Sequence, residues 1–173
     1  FLEDSQYYIE DVRKNIIDIL SYEKVYKQGF NVNTPINLEL QKLATNSLRE
    51  GLIAYDKRKG WHGTLINKNY NSKWFEDLEN YELEKSINWK IAIVKKVNKF
   101  SVEIETKDKL EGIIEYNDIT WTKKDFDELI QVGDVVYVKN ILNNKYSLKQ
   151  IPKINGGIVV MDPYTGRVLA LSG

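Results

Sequence analysis

Apolar residues recur every three or four positions through much of the first sixty residues, which predicts two amphipathic helices. The first is expected to begin after Asp4 or Ser5, either of which can cap it. It is expected to fade between Ser21 and Tyr26 and to stop at Gly29. The apolar positions that predict it are Tyr8, Ile9, Val12, Ile16 and Ile19.

The second predicted helix begins after Asn37, a good N-cap residue, and stops at Gly60. Gly51 lies within its apolar stripe, which predicts close packing against a neighbouring element. Between the two helices, Phe30–Thr34 alternates apolar and polar residues, and this pattern predicts a short strand that ends at Pro35. The stripe itself contains Leu40, Leu43, Ala44, Leu48, Leu52 and Tyr55.

The next segment changes character twice. Residues 61–71 have no period and are predicted to form a loop. From Ser72 to about Leu83, aromatic and aliphatic residues return at helical spacing, which predicts a third, short amphipathic helix with an acidic outer side.

From Trp89 to Ile151 apolar and polar residues alternate, so the period changes from helix to strand. Five strands are predicted, with a short helix at Thr122–Ile130 between the third and the fourth. Gly112 within the third strand predicts a bulge or a close approach. This order of elements is typical of an OB-type barrel. The predicted strands are Trp89–Asn98, Val102–Glu105, Leu110–Tyr116, Val135–Val138 and Lys145–Ile151.

The last eighteen residues predict a hairpin. Two apolar runs, Ile158–Met161 and Val168–Leu171, flank the turn Asp162–Gly166, whose Asp, Pro and Gly suit a type I turn closed by a residue with positive φ. Both strands are expected to be largely buried and to need more sheet beside them. We therefore expect the chain to be cut from a larger protein, and its first residue, Phe1 rather than Met, agrees with that expectation.

Together these elements predict an α+β protein. A small five-stranded OB-like β-barrel is expected to be inserted between flanking helices and strands of a partial second domain. The predicted segments are 1–85, which holds the helices and one strand, 86–153, which forms the barrel, and 154–173, which forms the hairpin. The insertion follows if the strand at Phe30–Thr34 pairs with the hairpin.

Composition excludes several classes of protein. The formal net charge is zero, so bulk charge argues against binding to nucleic acid or to a membrane surface. The absence of cysteine excludes a disulfide scaffold and thiolate metal sites. No apolar run approaches the roughly 18–20 residues that a membrane-spanning helix needs.

His62 is the single histidine of the chain. Zinc needs three or four ligands, and neither a second histidine nor a cysteine exists to help. A Ser–His–Asp triad would have to use His62, but no nucleophile-elbow motif surrounds any serine. We therefore expect a structural role, or none, for this side chain.

Two short segments match motifs of serine acyltransferases: Ser21–Lys24 fits S-x-x-K, and Ser86–Asn88 fits S-x-N. That chemistry also needs a K-T-G strand in the same pocket, and the sequence has neither K-T-G nor K-S-G. Gly156–Gly157 opens a strand and not a helix, so it does not fit a dinucleotide-binding loop. We expect no catalytic, cofactor-binding or metal-binding residue in this chain, and no cofactor.

Glu103 and Glu105 lie on one face of a predicted strand and could be taken for a glycosidase pair. Lys95, Lys96 or Lys99 can balance their charge. We expect a solvated, ion-paired face here.

Binding of single-stranded nucleic acid is the alternative function that an OB barrel suggests. Residues 86–153 hold 12 lysines and no arginine against 10 acidic residues, which is a weak basic surplus. Several aromatic residues there fall on apolar strand faces and are expected in the core. The aromatic residues are Trp89, Phe100, Tyr116, Trp121, Phe126, Tyr137 and Tyr146.

Several longer motifs closely resemble the region around the start of the transpeptidase domain in class A penicillin-binding proteins. The order of the motifs is preserved, and the resemblance covers nearly the whole chain. This chain departs from the family pattern at Thr34–Asn37, at Lys59, where histidine is usual, and at His62, where arginine is usual. The motifs are GFNVNT (Gly29–Thr34), Leu40-Gln41 with Ala44, LREGL (Leu48–Leu52), YDKRKGWHG (Tyr55–Gly63), GDVVYV (Gly133–Val138), YSLKQIP (Tyr146–Pro152) and GGIVVMDPYTGRVLAL (Gly156–Leu171).

The resemblance implies a parent that is a bifunctional peptidoglycan glycosyltransferase and D-Ala-D-Ala transpeptidase, held in the inner membrane of a Gram-negative bacterium and facing the periplasm. In this family the catalytic motifs lie outside the matched region, so no catalytic residue transfers to this chain. The segment 154–173 would be the first hairpin of the transpeptidase domain. The resemblance implies that the barrel docks a protein or positions the two catalytic domains. The implied partners are those domains and an outer-membrane lipoprotein activator; the partner-binding residues are unknown at this stage.

Overall fold

The fold was analysed in a computed structural model, which describes residues 3–71, 73–84 and 87–173. The described residues form four α-helices and eight β-strands. The helices are α1 (Gln6–Leu20), α2 (Tyr22–Gln28), α3 (Leu38–Lys59) and α4 (Phe126–Leu129). The strands are β1 (Ile66–Asn67), β2 (Lys90–Val97), β3 (Ser101–Thr106), β4 (Glu111–Glu115), β5 (Asp134–Leu142), β6 (Lys145–Lys149), β7 (Ile158–Met161) and β8 (Val168–Ser172).

These elements divide into two compact units. The first comprises Phe1–Tyr55 and Pro152–Gly173, and the second comprises Asp56–Ile151. The second unit is thus inserted, in chain order, between the two segments of the first. The predicted segment boundaries at 85/86 and 153/154 stay a prediction.

In the first unit, α3 carries Gln41, whose side chain acts as a partner for the backbone of β8. Gln41 Nε2 donates to Leu171 O at 2.9 Å, and Leu171 N donates back to Gln41 Oε1 at 2.9 Å. Ala44, one helical turn along, is buried, and the Tyr8 hydroxyl on α1 donates to Val168 O at 2.9 Å. These contacts explain why glutamine and alanine occur three residues apart on this helix.

Two helix boundaries follow from local chemistry. Asn37 Oδ1 accepts hydrogen bonds from the backbone N–H groups of Glu39 and Leu40, both at 3.1 Å, so the predicted N-cap is confirmed. Gly60, at φ 101°, ends α3 as predicted. The first predicted helix is instead two helices, because Ser21 adopts φ 71° between α1 and α2.

The strand predicted at Phe30–Thr34 is wrong. Residues 29–37 have no regular structure, and the β7–β8 hairpin forms a two-stranded sheet. A backbone hydrogen bond to β8 is formed only after the predicted strand, where Asn37 N donates to Leu169 O at 2.8 Å. Alternation predicts a strand only when one face finds a surface to cover it, and Phe30 and Val32 are both exposed.

Burial in the first unit is less complete than predicted. Val159 and Met161 on β7 are exposed, so the hairpin strands are not largely buried in this chain. Gly51 does not pack closely, because a Cβ atom built there would meet nothing within 4 Å. Several other predicted buried positions are also exposed, namely Ile9, Ile19, Leu43 and Tyr55.

The second unit contains the predicted barrel. Strands β2, β3, β4, β6 and β5 follow one another around it, and β5 pairs again with β2 to close it. Neighbouring strands are antiparallel except β4 and β6, which are parallel. The predicted α+β fold with a five-stranded OB-like barrel is confirmed. The short helix predicted at Thr122–Ile130 is reduced to a 3₁₀ turn at Thr120–Thr122 followed by α4.

The barrel interior is filled with side chains. Alternate residues of β2, such as Ala92 and Val94, point inward, while Ile91 and Ile93 point outward. Gly112 on β4 makes the close approach predicted for it, since a Cβ atom there would lie 2.3 Å from Cε2 of Tyr146. The interior cluster comprises Ala92, Val94, Val102, Ile104, Ile114, Ile119, Phe126, Leu129, Ile130, Val136, Val138, Tyr146 and Leu148.

The described residues between 61 and 89 (61–71, 73–84 and 87–89) cover the outer face of β2 and β5. Trp74 and Leu78 are each 1% exposed and pack on Ile91, Ile93, Val135 and Tyr137. The helix predicted from Ser72 to Leu83 is wrong in its described part: turns cover 73–77, Asp77 adopts φ 61°, and a 3₁₀ turn spans Glu79–Tyr81. Ser72 itself lies outside the described residues.

Candidate functional site

A buried carboxylate at the end of α3 ties the barrel to the segment that precedes it. The Asp56 side chain is 2% exposed, and its Oδ1 lies 2.8 Å from Nε2 of His62, whose N–H donates to it. Gln150, just after β6, donates through Nε2 to Asp56 Oδ2 at 2.7 Å and to Gly60 O at 2.9 Å. Its Oε1 accepts from His62 N at 3.0 Å. All of these polar atoms form hydrogen bonds within the chain.

His62 therefore has the structural role expected of it. Its hydrogen-bond partners are Asp56 and Gln150, and no serine hydroxyl among the described residues bonds to it. The motif YDKRKGWHG owes its composition partly to this arrangement, because Asp56 on the helix and His62 after the turn at Gly60 must meet. The sequence suggested neither Asp56 nor Gln150 as a partner for His62.

The two acyltransferase-like matches form no site among the described residues. Ser21 occupies the exposed break between α1 and α2, and Lys24 is exposed on α2. Ser86 lies outside the described residues, and Asn88 is exposed ahead of β2.

The expected solvated carboxylate face is correct for Glu103 and wrong for Glu105, which is 8% exposed. Trp74 Nε1 donates to Glu105 Oε1 at 2.9 Å, and the Tyr70 hydroxyl donates to Oε2 at 2.7 Å. Lys95 Nζ lies 3.8 Å from Glu105 and balances its charge as expected. Glu105 thus fastens the covering segment to the barrel, and its pKa is lowered: burial opposes the ionised form, but the hydrogen bonds from Trp74 and Tyr70 favour it more.

The tip of the β5–β6 hairpin exposes two adjacent aliphatic side chains. The first five residues of β5, Asp134–Val138, are buried, whereas its last four are exposed. Ile141 and Leu142 are 55% and 63% exposed, directly before the turn at Asn143. We call Ile141 and Leu142 the apolar tip. Two adjacent aliphatic side chains on a projecting hairpin suit contact with another protein surface.

Three lysines lie near one another beside this hairpin, and we call them the lysine cluster: Lys57, Lys139 and Lys149. Tyr146 and Leu148 point into the barrel, so Lys149 on the same strand projects from the outer face. Lys139 lies on the neighbouring strand, one two-residue step from the position that pairs with Lys149. Lys57 comes from the end of α3, and its Nζ lies 5.1 Å from the centre of the Trp121 ring.

The charge of the lysine cluster is poorly compensated. Burial, reinforced by the like charges of Lys57 and Lys139, lowers the pKa of Lys149 to about 8. Burial also lowers the pKa of Lys57. Asp118 is the carboxylate that acts on both lysines, and its own pKa is raised by burial and by the charge of Glu115. No ion pair within 4.0 Å joins a cluster lysine to a carboxylate in the described part of the chain.

Two aromatic residues of the barrel, Phe100 and Tyr116, are exposed, and Tyr116 N donates to Phe100 O at 3.1 Å. Phe126, Tyr137 and Tyr146 are 1%, 3% and 3% exposed, as expected for core residues. Phe100 is exposed, at the turn between β2 and β3, and Trp121 packs edge-on against Trp61. Single-strand binding usually needs several exposed aromatic rings in one basic groove.

Sequence reasoning missed both the apolar tip and the lysine cluster. The apolar tip had a local signal, because Ile141 and Leu142 continue the apolar run of β5 right up to the Asn143-Asn144 turn. The lysine cluster had none, since its three members come from α3, β5 and β6.

Comparison with known proteins now defines the class. Residues 58–154 match the family model described as the penicillin-binding protein OB-like domain. The match covers more than half of the chain, so the chain belongs to this family. The resemblance to class A penicillin-binding proteins noted from the motifs is confirmed.

The relatives are similar over nearly the whole chain. Penicillin-binding protein 1A of Rickettsia typhi is 36% identical over 174 residues, which cover 98% of this chain and 22% of the relative. Penicillin-binding protein 1A of Pseudomonas aeruginosa is 26% identical over 165 residues, covering 87% of this chain and 20% of the relative. This chain therefore spans about a fifth of the length of these relatives.

A solved structure agrees with the fold. The crystal structure of penicillin-binding protein 1A from Haemophilus influenzae superposes with a TM-score of 0.72 at 25% identity, covering 96% of this chain and 25% of that protein. Among the described residues, no helix combines the length and the apolarity that crossing a membrane requires.

Proposed function

We propose that this chain is the non-catalytic linker and OB-like region of a bifunctional peptidoglycan synthase. The parent polymerises glycan chains and cross-links them by D-Ala-D-Ala transpeptidation. It is anchored in the inner membrane of a Gram-negative bacterium and faces the periplasm. The barrel docks a protein or positions the two catalytic domains.

One observation carries the docking role: side chains fill the barrel and a covering segment packs on the outer face of β2 and β5, but the β5–β6 hairpin ends in an exposed apolar tip. The interior residues Val94, Ile104 and Leu148 are at most 1% exposed, so side chains fill the described interior of the barrel. Trp74 covers one outer face. What is left for function on this barrel is surface, and an apolar tip suits a protein surface better than a small molecule.

The proposed partners are the parent's own glycosyltransferase and transpeptidase domains and, from outside, an outer-membrane lipoprotein activator. Docking can activate the parent only if the partner binds the active arrangement of its domains more tightly than the inactive one. A partner that binds both arrangements equally well shifts nothing.

The test uses the full-length parent with Ile141→Ser and Leu142→Ser together. The matched control is Leu110→Ser with Val132→Ser, which removes two other aliphatic side chains that are 50% and 55% exposed on the same barrel. We expect the tip variant to lower the number of cross-links formed per polymerised disaccharide, while its acylation by penicillin stays normal. An equal number of cross-links per polymerised disaccharide in the tip variant, the control and the wild type would contradict the docking role.

The absence of catalysis in this chain has a separate test. The isolated chain is mixed with a fluorescent penicillin and run on a denaturing gel. We expect no covalent label, because within the described part of the chain no basic side chain is hydrogen-bonded to exposed Ser21, and the sequence contains no K-T-G. Labelling that disappears with Ser21→Ala would overturn the proposal.

A further inference from the structure

The lysine cluster concentrates positive charge with little negative charge nearby, and this arrangement is unfavourable to the folded state. Three ammonium groups stand near one another, and the carboxylate acting on Lys57 and Lys149 is Asp118. The nearby Lys145 is already balanced by Glu115, at 2.6 Å. Like charges in partly buried positions disfavour each other, so an incoming anion would relieve the repulsion.

The spacing of the cluster suits an extended chain. Side chains that project from one face of a strand repeat every two residues, or about 6.6 Å. Lys149 and Lys139 stand on adjacent strands, and the apolar tip lies two residues beyond Lys139. Because Lys139 lies diagonal to Lys149 across the strand pair, the two positions are about 7–8 Å apart, close to the spacing of about 6.6 Å between alternate carboxylates of an extended acidic segment.

One further contact prepares the site. The Lys57 ammonium lies over the Trp121 ring, 5.1 Å from its centre, and this cation–π contact restricts the side chain before any ligand arrives. Less side-chain freedom then needs to be lost on binding.

We infer that the lysine cluster binds the carboxylates of an extended acidic segment of a partner protein, whose apolar side chains rest on the apolar tip. This inference rests on the proposed docking function and names the chemistry of the partner. A protein segment is favoured over nucleic acid because the chain as a whole carries no net charge, and because two of the barrel's seven aromatic residues, Phe100 and Tyr116, are exposed while Phe126, Tyr137 and Tyr146 are buried.

The binding test uses an octapeptide of alternating glutamate and serine as the probe, with the chain observed by NMR of its lysine side chains. Wild-type chain is compared with Lys57→Gln/Lys149→Gln. The matched control is Lys99→Gln/Lys124→Gln, which removes the same charge and includes a lysine that also stands over a ring, 5.4 Å from the centre of Phe100. We expect about tenfold weaker binding in the cluster variant and less than about a twofold change in the control.

A second readout follows protonation. Lys149 faces Lys57, Lys139 and Asp118, and its pKa of about 8 should rise when a carboxylate binds. The complex should therefore take up protons near pH 8, a change that loss of a merely structural contact would not produce. Where the cluster variant fails to fold, Lys139→Gln at an exposed strand position must weaken binding in the same direction.

Three outcomes would overturn the inference: equal weakening in the cluster and control variants, no change in the pKa of Lys149 at saturating peptide, or tighter binding of an oligothymidine of equal charge that depends on the same lysines. These outcomes are separate from failure of the docking role. If the apolar tip governs coupling in the parent but the peptide does not bind, the docking role stands and the acidic partner is wrong. If the peptide binds but the tip variant forms a normal number of cross-links per polymerised disaccharide, the acidic-segment inference stands and the docking role of the apolar tip is wrong.

Discussion

Replacement of Asp56 by alanine should destabilise the barrel unit measurably. The carboxylate accepts hydrogen bonds from His62 at 2.8 Å and from Gln150 at 2.7 Å, and each such bond to a charged acceptor contributes about 1.5–3 kcal/mol. Removal of a buried charge offsets part of that loss, Gln150 keeps its bond to Gly60 O, and the partly exposed His62 can regain water. We therefore expect a net cost of about 2–3 kcal/mol.

Urea unfolding followed by tryptophan fluorescence measures this cost, because all four tryptophans lie within the unit Asp56–Ile151. With a denaturant slope of about 2 kcal/mol per molar urea, the midpoint should fall by about 1–1.5 M. Glu50→Ala, an exposed change on the same helix, is the control. A midpoint for Asp56→Ala within about 0.3 M of that control would refute the claim that this carboxylate holds the unit together.

Three further predictions concern single positions. Gly112→Ala should lower the free energy of unfolding by about 1–3 kcal/mol, because the new methyl group would overlap the ring of Tyr146. Gly51→Ala should instead raise it by about 0.5–1 kcal/mol, because the new methyl group would meet no atom within 4 Å on the helix; thermal melts compare the two variants. The lowered pKa of Lys149 means that its charged form destabilises the fold, so Lys149→Met should have a larger free energy of unfolding than wild type at neutral pH. This advantage should shrink as pH rises from about 8 to 10.5, and a difference in free energy that stays constant across that window would contradict the prediction. Because the pKa of Glu105 is lowered, its contribution is present above its ordinary value of 4.5 and is lost as pH falls below it; Glu105→Gln should therefore be less stable than wild type at neutral pH and should converge with it in acid, as followed by fluorescence.

Much of the barrel could be predicted because its strands follow from the local pattern of apolar and polar residues. A closed barrel has one buried face along every strand, so alternation identified β2 to β6 within a few residues, and Asn143 marked the turn between the last two. Gly112 was predicted as a close approach from its position within a strand, and the overlap with Tyr146 confirms it.

The errors arose where tertiary contacts decide the structure. Residues 72–83 have helical spacing, but Trp74 and Leu78 are held by the outer face of the barrel, and a left-handed Asp77 breaks the helix. Phe30–Thr34 alternates as a strand does, but no strand ladder forms there. Local pattern cannot distinguish these outcomes, because both depend on what the segment packs against.

The lysine cluster of the proposed docking surface left no signal in the sequence. Lys139 and Lys149 are ten residues apart, Lys57 lies more than eighty residues before them, and no short motif relates the three. Asp56, His62 and Gln150 meet only because α3 ends beside the last barrel strand. The family motifs marked where such residues stand, but the reason for each became visible only with their contacts.

Labelling of a single introduced cysteine tests the docking role most directly, since the chain has no cysteine of its own. Ile141→Cys at the apolar tip and Leu110→Cys as an exposed control are each labelled with a maleimide, in the isolated chain and in the parent within the native cell envelope. The docking role predicts that labelling at position 141 slows about tenfold in the envelope relative to position 110, because a partner covers the tip. Equal labelling of the two positions in both settings would contradict it.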